Sequence, residues 1–134
     1  MSSIINKILQ NNPVLCAPLC GYTDFAFREI LSLYHPGIVF TEMLSTEGLK
    51  HNLKKTIGLF RESTSDVPLG IQLFGSNPES FKRAVSVINP LKFDVIDINS
   101  GCSVKKILKS QSGCALMESP DLIYRIITQV KSET

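Results

Sequence analysis

The residues whose types could do chemistry in this sequence are gathered around one cysteine, Cys102. A turn-forming Asn-Ser-Gly tripeptide at 99–101 precedes it, and three lysines follow it at Lys105, Lys106 and Lys109. Cations near a thiol favour its ionised form, or suit a thiol that gives a proton beside an anionic substrate. Asn99 offers both a hydrogen-bond donor and an acceptor. From these neighbours alone, Cys102 is either an inert loop cysteine or a proton donor.

The element that must position Cys102 is the stretch Phe93–Ile98 just before it. This stretch is rich in β-branched and apolar residues, which predicts a short, largely buried strand. Cys102 then lies just past the C-terminal end of a strand, at the edge where α/β folds bind ligands. We expect Asp94 and Asp97 to be structural, because alternation points them to one face while the site lies beyond Ile98.

The rest of the chain repeats a strand-then-helix plan. Four predicted strands begin near Val14, Ile38, Val67 and Phe93, and a segment with helical apolar spacing follows each of them. The almost wholly apolar stretch at 14–19 predicts a strand buried on both faces, and the next helix should bury a broad apolar face. That face consists of Phe25, Phe27, Ile30, Leu31 and Tyr34. A short helix at 4–10 should cover one end, and the whole repeat predicts parallel βαβ units.

Parallel units alone allow a small open sheet or part of an eight-fold barrel. Polar residues at the C-terminal ends of all four predicted strands suit the mouth of a barrel. The sequence has no G-x-G-x-x-G after its first strand and no G-x-x-x-x-G-K, so it lacks the phosphate cradles of dinucleotide and P-loop folds. The predicted fold class is α/β: parallel βαβ units forming the N-terminal half, about four strands, of a TIM-type (β/α)8 barrel, as a single domain over 1–134. A complete barrel needs about 250 residues, so we expect a fragment whose open sheet edges make it marginally stable or self-associating.

Several polar residues have two interpretations. Gln72 is an amide inside the apolar strand predicted at 67–74, and a buried amide is costly unless it is hydrogen-bonded. Its partner is either the backbone of the sheet or a ligand at the C-terminal edge. Glu42 is either a carboxylate paired inside the barrel or a site residue. A basic group after the second strand is either a solvated helix end or an RNA contact. This group consists of Lys50, His51, Lys54 and Lys55.

Composition limits the class of protein. The 134 residues are 43% hydrophobic and 19% charged, an ordinary globular balance, and a net charge of +2 gives no strong case for nucleic acid by itself. No apolar run has the length of a membrane span and no signal peptide is recognisable, so we expect a cytoplasmic protein without a membrane partner. We expect Cys16, Cys20 and Cys114 to be inert free thiols, and no metal site, because no cysteine or histidine pair has ligand spacing.

The segment at 97–117, DINSGCSVKKILKSQSGCALM, resembles the signature of the tRNA-dihydrouridine synthases. Three further segments resemble the same family: APLCGYTDFAFR at 17–28, TEM at 41–43 and PLGIQLFGSNPE at 68–79. The resemblance covers the chain from Pro13 onward, which is about the first half of a complete family barrel. Ser103 stands where the family usually has proline, which would loosen the cysteine loop, and Cys114 stands where a small residue is usual.

This resemblance implies a flavin enzyme that reduces a uridine in tRNA. Hydride would pass from reduced FMN to C6 of a flipped-out uracil, with Cys102 as the general acid at C5, and NADPH or NADH would re-reduce the flavin. Gln72 would reach the polar edge of the flavin ring, and Asn99 the edge of the uracil. The implied flavin seat is Ala17, Pro18, Leu19 and Met43. The implied phosphate contacts are Lys105, Lys106 and Lys109.

Two other functions remain open on the sequence. Other FMN-dependent barrels reduce or oxidise free pyrimidines, and these would not need the three lysines that follow Cys102. The chain is otherwise an inactive truncated remnant or an RNA-binding module, with no chemistry at the cysteine. Because phosphate sites in such barrels usually come from the loops after the seventh and eighth strands, we also expect this chain to bind flavin weakly or not at all.

Overall fold

Helices and strands alternate along the part of the chain that is described. The computed structural model describes residues 4–51 and 65–134. The strands there are β1 Leu15–Cys16, β2 Ile38–Phe40, β3 Leu44–Ser45, β4 Leu69–Phe74 and β5 Val95–Ile98. The helices there are α1 Ile4–Asn11, α2 Phe25–Ser32, α3 Thr46–His51, α4 Pro78–Ile88, α5 Lys105–Lys109 and α6 Pro120–Glu133, with a 3₁₀ helix at Gly113–Glu118.

The strands form one sheet in which every pair is parallel. β1 pairs with β2, β2 and β3 pair successively with β4, and β5 pairs with β4 as well. In the β4–β5 register, Gln72 lies opposite Asp97 and Leu73 lies opposite Ile98. β2 and β3 follow one another along the same side of β4, so the order across the sheet is β1, then β2 with β3, then β4, then β5. This is the chain order, as in successive units of a barrel wall. The predicted fold class, parallel α/β units of the TIM-barrel type, is confirmed.

The hydrophobic core lies between one face of the sheet and the helices α4 and α6. Leu69, Ile71 and Leu73 of β4 point to this face, and none is more than 4% exposed. Asn77 caps the N-terminus of α4 with its side chain, which starts the helix with its apolar stripe toward the sheet. The buried stripe of α4 is Phe81, Ala84, Val85 and Ile88, as its spacing predicts, and α6 adds Ile126 and Val130.

The opposite face of the sheet is the inner side of the barrel wall. Because side chains alternate along a strand, Gly70 and Gln72 face this side while Ile71 faces the core. Gly70 lies against the Phe40 ring, since a Cβ there would come within 2.3 Å of Phe40 Cδ1. As predicted, α1 covers one end, where it lines a cavity of about 220 Å³ with the first residues of β1, β2 and β5. The polar residues of the inner face therefore gather at the other end, beyond the C-termini of the strands.

The first βα unit is more exposed than its sequence predicts. β1 is a two-residue edge strand and Leu15 is 48% exposed, so the prediction of a strand buried on both faces is wrong. α2 buries Arg28 and Ser32, whereas Ile30 and Tyr34 of the predicted apolar face are 57% and 79% exposed. The spacing identifies the helix correctly, but it does not report whether a second layer covers that face.

Three short elements were not predicted: β3, α5 and the 3₁₀ helix. The lysine-rich stretch after Cys102 contains α5, whose Ile107 is buried. The helical segment expected after the second strand begins at Thr46 and is described as far as His51. Of the basic group, Lys54 and Lys55 lie outside the described residues, as do the side chains of Lys50 and His51.

Candidate active site

A large cavity opens at the C-terminal ends of β3, β4 and β5. Its volume is about 1170 Å³. Small-molecule sites usually occupy about 300–1000 Å³, so this cavity has room for two ring systems. Its walls are built by the loop after β1, the segment from β2 to α3, the loop before α4, and the segment from β5 to the end of α5.

A hydrogen bond between neighbouring strands fixes the side chain of Gln72. This residue is 7% exposed, and its Nε2 donates to Asp97 Oδ2 at 2.5 Å. The two residues lie opposite each other in the β4–β5 pair. Gln72 Oε1 accepts from Asn99 Nδ2 at 2.9 Å. Two neighbouring side chains therefore satisfy the buried amide, which neither sequence interpretation of Gln72 anticipated.

Asn99 connects this pair to the loop that carries Cys102. Its Oδ1 accepts from the backbone N–H of Gly101 at 3.3 Å and from that of Cys102 at 3.1 Å. This is the local turn for which asparagine is favoured, because its side chain can bond the backbone two or three residues on. A continuous chain of hydrogen bonds thus runs from Asp97 through Gln72 and Asn99 to the backbone of Cys102.

Gly113 and Cys114 hold the other side of the Cys102 backbone. The Cys114 N–H donates to the Cys102 carbonyl at 3.0 Å. Gly113 has a φ of +64°, and a Cβ added there would lie 2.3 Å from Cys102 O and 2.9 Å from Ile107 Cγ2. Both the conformation and the space therefore require glycine at position 113. Cys102 itself is half-buried and lines the cavity.

The loop after β1 gives the cavity an apolar wall. Pro18, Leu19 and Cys20 line it, and Leu19 is 52% exposed. A carboxylate oxygen of Glu42 accepts from the Gly21 N–H, which ties this loop to the end of β2. Glu42 is half-buried and bonds a loop N–H, rather than being a carboxylate buried and paired inside the barrel.

Arg28 supports the same loop from the interior. It is 0% exposed, and its Nη1 donates to the Thr23 carbonyl at 2.8 Å. Burial lowers the pKa of Arg28, while the carboxylates of Asp24, Glu29 and Glu42 raise it. Arginine stays protonated in proteins, so a buried positive charge lies beside the loop that carries the apolar wall.

Most of the residues predicted for the site meet in this cavity. Those that line it are Pro18, Leu19, Met43, Gln72, Asn99, Cys102 and Lys106. The sulfur of Met43 lies 3.8 Å from Asn99 Nδ2. Ala17, Lys105 and Lys109 are exposed and are not part of the lining. Gln72 and Cys102 share one rim of the sheet, so one bound ligand can contact both.

Asp97 also belongs to this cavity, which corrects the expectation that it shares a face with Asp94. Residues three apart on a strand point to opposite faces. Asp94 accepts from the Leu69 N–H at 2.9 Å, just before β5 begins, and has the structural role predicted for it. Asp97 instead lines the cavity beside Gln72. Counting strand positions from Asp94 would have found this residue.

The sequence does not reveal that Cys20 lines this cavity. It also does not reveal that one wall of the cavity consists of serines. The serines of the lining are Ser45, Ser76, Ser100, Ser110 and Ser112. The Ser76 hydroxyl donates to the Ser110 carbonyl at 2.8 Å and so joins the loop before α4 to the end of α5. No motif marks this wall, because loops of different βα units bring its members together.

The four cysteines are free thiols. Within residues 4–51 and 65–134, no group of three or more histidine, cysteine or carboxylate side chains is placed to hold a metal ion. In the same two ranges, no helix is both long enough and apolar enough to cross a membrane.

Known proteins resemble the chain over nearly its whole length. A probable tRNA-dihydrouridine synthase of Treponema pallidum is 35% identical over 118 residues, which are 87% of this chain and 35% of the relative. One of Aquifex aeolicus is 36% identical over 118 residues, which are 87% of this chain and 37% of the relative. One of Rhodobacter capsulatus is 32% identical over 131 residues, which are 97% of this chain and 40% of the relative.

The chain therefore spans between 35% and 40% of the length of these relatives. A model of the dihydrouridine synthase family matches residues 15–134, a range that contains every strand of the sheet and the whole lining of the cavity. With the cysteine loop inside the matched range, this chain belongs to the dihydrouridine synthase family.

Proposed function

We propose that this chain is the N-terminal half of the catalytic barrel of a tRNA-dihydrouridine synthase. Such an enzyme is a cytoplasmic FMN-dependent oxidoreductase that reduces a uridine in tRNA to 5,6-dihydrouridine. The observation that carries the proposal is the hydrogen-bonded chain that joins Gln72, Asn99 and Cys102 within one cavity. Residues 1–134 would act as a single domain within that barrel. The names of the relatives support tRNA as the substrate.

The residues of the cavity fit a flavin ring. A flavin needs a flat, apolar seat and a few well-placed hydrogen bonds. Pro18, Leu19 and Met43 line one part of the cavity and would form the seat. The Gln72 amide would meet the polar edge of the ring, and its two side-chain hydrogen bonds already hold it in place, so binding costs little ordering. Bound FMN would supply the hydride, after reduction by NADPH or NADH.

Cys102 would supply the proton. Its S–H bond breaks and a C–H bond forms at C5 of the uracil as C6 receives the hydride, and the thiolate then regains a proton from solvent. Asn99 would orient the base. Its Oδ1 is engaged by the backbone of the cysteine loop and one of its amide N–H bonds by Gln72. The other N–H, which faces the Met43 sulfur, is the group that it would offer to a uracil oxygen.

The lysines of α5 would hold the RNA. Lys106 lines the cavity, and Lys105 and Lys109 are exposed on the same short helix. Because α5 directly follows the cysteine loop, phosphates bound there bring a nucleotide close to Cys102. The target base must leave its stack to enter the cavity.

A substrate comparison in the full-length protein tests this function. The protein is incubated with FMN and with NADPH or NADH, and dihydrouridine is measured by mass spectrometry in tRNA and in free uridine. Reduction of the tRNA with little or no reduction of free uridine supports the proposal. Equal rates on free uridine would favour a pyrimidine oxidoreductase of another kind. No reduction of either would favour an inactive remnant or an RNA-binding module.

A further inference from the structure

Asp97 transfers neither a proton nor a hydride in the proposed reaction. Its carboxylate instead determines which way round the side-chain amides of Gln72 and Asn99 are oriented. The two ends of a glutamine or asparagine amide have nearly the same shape, and only their hydrogen-bond partners distinguish them. An ionised carboxylate accepts and does not donate. Gln72 must therefore turn its Nε2 toward Asp97, with which it makes a 2.5 Å contact, and its Oε1 away from it.

The orientation of the Gln72 amide determines that of Asn99, and Asn99 in turn holds the cysteine loop. Because Gln72 presents an acceptor, Asn99 must present its Nδ2, and its Oδ1 is left to accept from the N–H groups of Gly101 and Cys102. A reversed Asn99 would set its oxygen against Gln72 Oε1 and its amide against two backbone donors. The hydrogen bonds of Asn99 with Gln72 and with the two backbone N–H groups would then be lost.

We propose that Asp97 is a positioning residue for Cys102. Its carboxylate fixes the Gln72 amide, the Gln72 amide fixes Asn99, and Asn99 holds the loop that carries the thiol. This inference rests on the proposed function only in treating Cys102 as the reacting thiol.

The substitution Asp97→Asn tests the proposal, because it keeps the shape of the side chain but lets it donate as well as accept. The assay is the rate of Cys102 alkylation by iodoacetamide, resolved by peptide mass spectrometry, with the exposed Cys20 as reference. We expect Cys102 to react about two- to tenfold faster, which is the range that one lost hydrogen bond allows. Asp94→Asn is the matched control, because Asp94 contacts Leu69 and lies outside this chain of hydrogen bonds.

A double variant, the swapped pair, exchanges the acid and the amide between positions 72 and 97 and tests whether the original orientation can be restored. In Gln72→Glu with Asp97→Asn, the carboxylate lies at position 72 and accepts from both neighbouring amides, so Asn99 again faces an acceptor. Cys102 should then return to the reactivity of the unsubstituted protein. If Asp97→Asn alone is too unstable to measure, the swapped pair decides by the same readout.

Three outcomes would overturn the proposal: unchanged Cys102 reactivity in Asp97→Asn, an equal change in Asp94→Asn, or no rescue in the swapped pair. Activity distinguishes this failure from failure of the proposed function. Asp97→Asn should slow tRNA reduction by up to about 100-fold, as a displaced reacting group does. An unsubstituted protein that does not reduce tRNA would refute the function, while the alkylation result would still decide the role of Asp97.

Discussion

Gly113→Ala should displace the cysteine loop although position 113 is 11 residues away from Cys102. The added Cβ would lie 2.3 Å from the carbonyl oxygen of Cys102 and 3.1 Å from its Cβ. Backbone and side chain of Cys102 must both move to accept it. Gly21→Ala is a matched control, because Gly21 also has a positive φ, +81°, but a Cβ there meets nothing within 4 Å.

The expected magnitudes follow from these two environments. Forcing alanine into a left-handed conformation costs about 1–2 kcal/mol, and both variants bear this cost. Only Gly113→Ala also loses the hydrogen bond from Cys114 N–H to Cys102 O, which is worth about 0.5–1.5 kcal/mol. We therefore expect Gly113→Ala to be less stable than Gly21→Ala by about 1 kcal/mol or more. Cys102 should also be alkylated faster in Gly113→Ala alone.

Urea unfolding followed by far-UV circular dichroism measures the stabilities, since the chain has no tryptophan to report by fluorescence. Peptide-resolved alkylation measures the exposure of the thiol. Equal stabilities for the two variants, together with an unchanged Cys102 rate, would refute the claim that Gly113 supports the cysteine loop.

Three further predictions concern RNA, flavin and assembly. Lys106→Ala should weaken tRNA binding and reduce the slope of log affinity against log salt concentration by about 0.7–0.9. Lys131→Ala, on α6, should leave this slope unchanged. Equal slopes for the two variants in a filter-binding assay would contradict the prediction. This chain alone should bind FMN weakly or not at all, because Lys106 is the single cationic side chain among the described residues that line the cavity and could bind the FMN phosphate. A micromolar dissociation constant measured by flavin fluorescence would contradict this. The chain should self-associate through its open sheet edges, and Leu15→Lys in the exposed edge strand β1 should reduce its mass in light scattering at a given concentration. A rigid monomer with cooperative unfolding would contradict this.

The sequence predicts the parts of the fold that local patterns control. The buried stripe of α4 and the rim position of Cys102 follow from spacing, caps and the turn cluster at 99–101. The burial of β1 and α2 does not follow, because burial depends on what packs against an element. Leu15 and Ile30 have the composition of core residues, yet they are largely exposed.

The candidate site is predictable only where one segment carries it. Gln72 stands out in the sequence as a polar residue in an apolar strand, but its partner Asp97 lies 25 positions further on. Only the register of β4 and β5 brings the two together. The need for glycine at position 113 is hidden in the same way, because it arises from contact with Cys102 across the α5 turn.

Single-turnover reduction of tRNA by full-length protein carrying pre-reduced FMN tests the central claim most directly, because it isolates the step in which Cys102 gives its proton. Cys102→Ala should slow this step by about 10²–10⁴-fold, the usual worth of a general acid, while NADPH or NADH reduces the flavin at an unchanged rate. Cys16→Ala, which removes a thiol packed against the core and outside the cavity, should leave the step unchanged. A Cys102→Ala protein that reduces tRNA as fast as the unsubstituted protein would contradict the account.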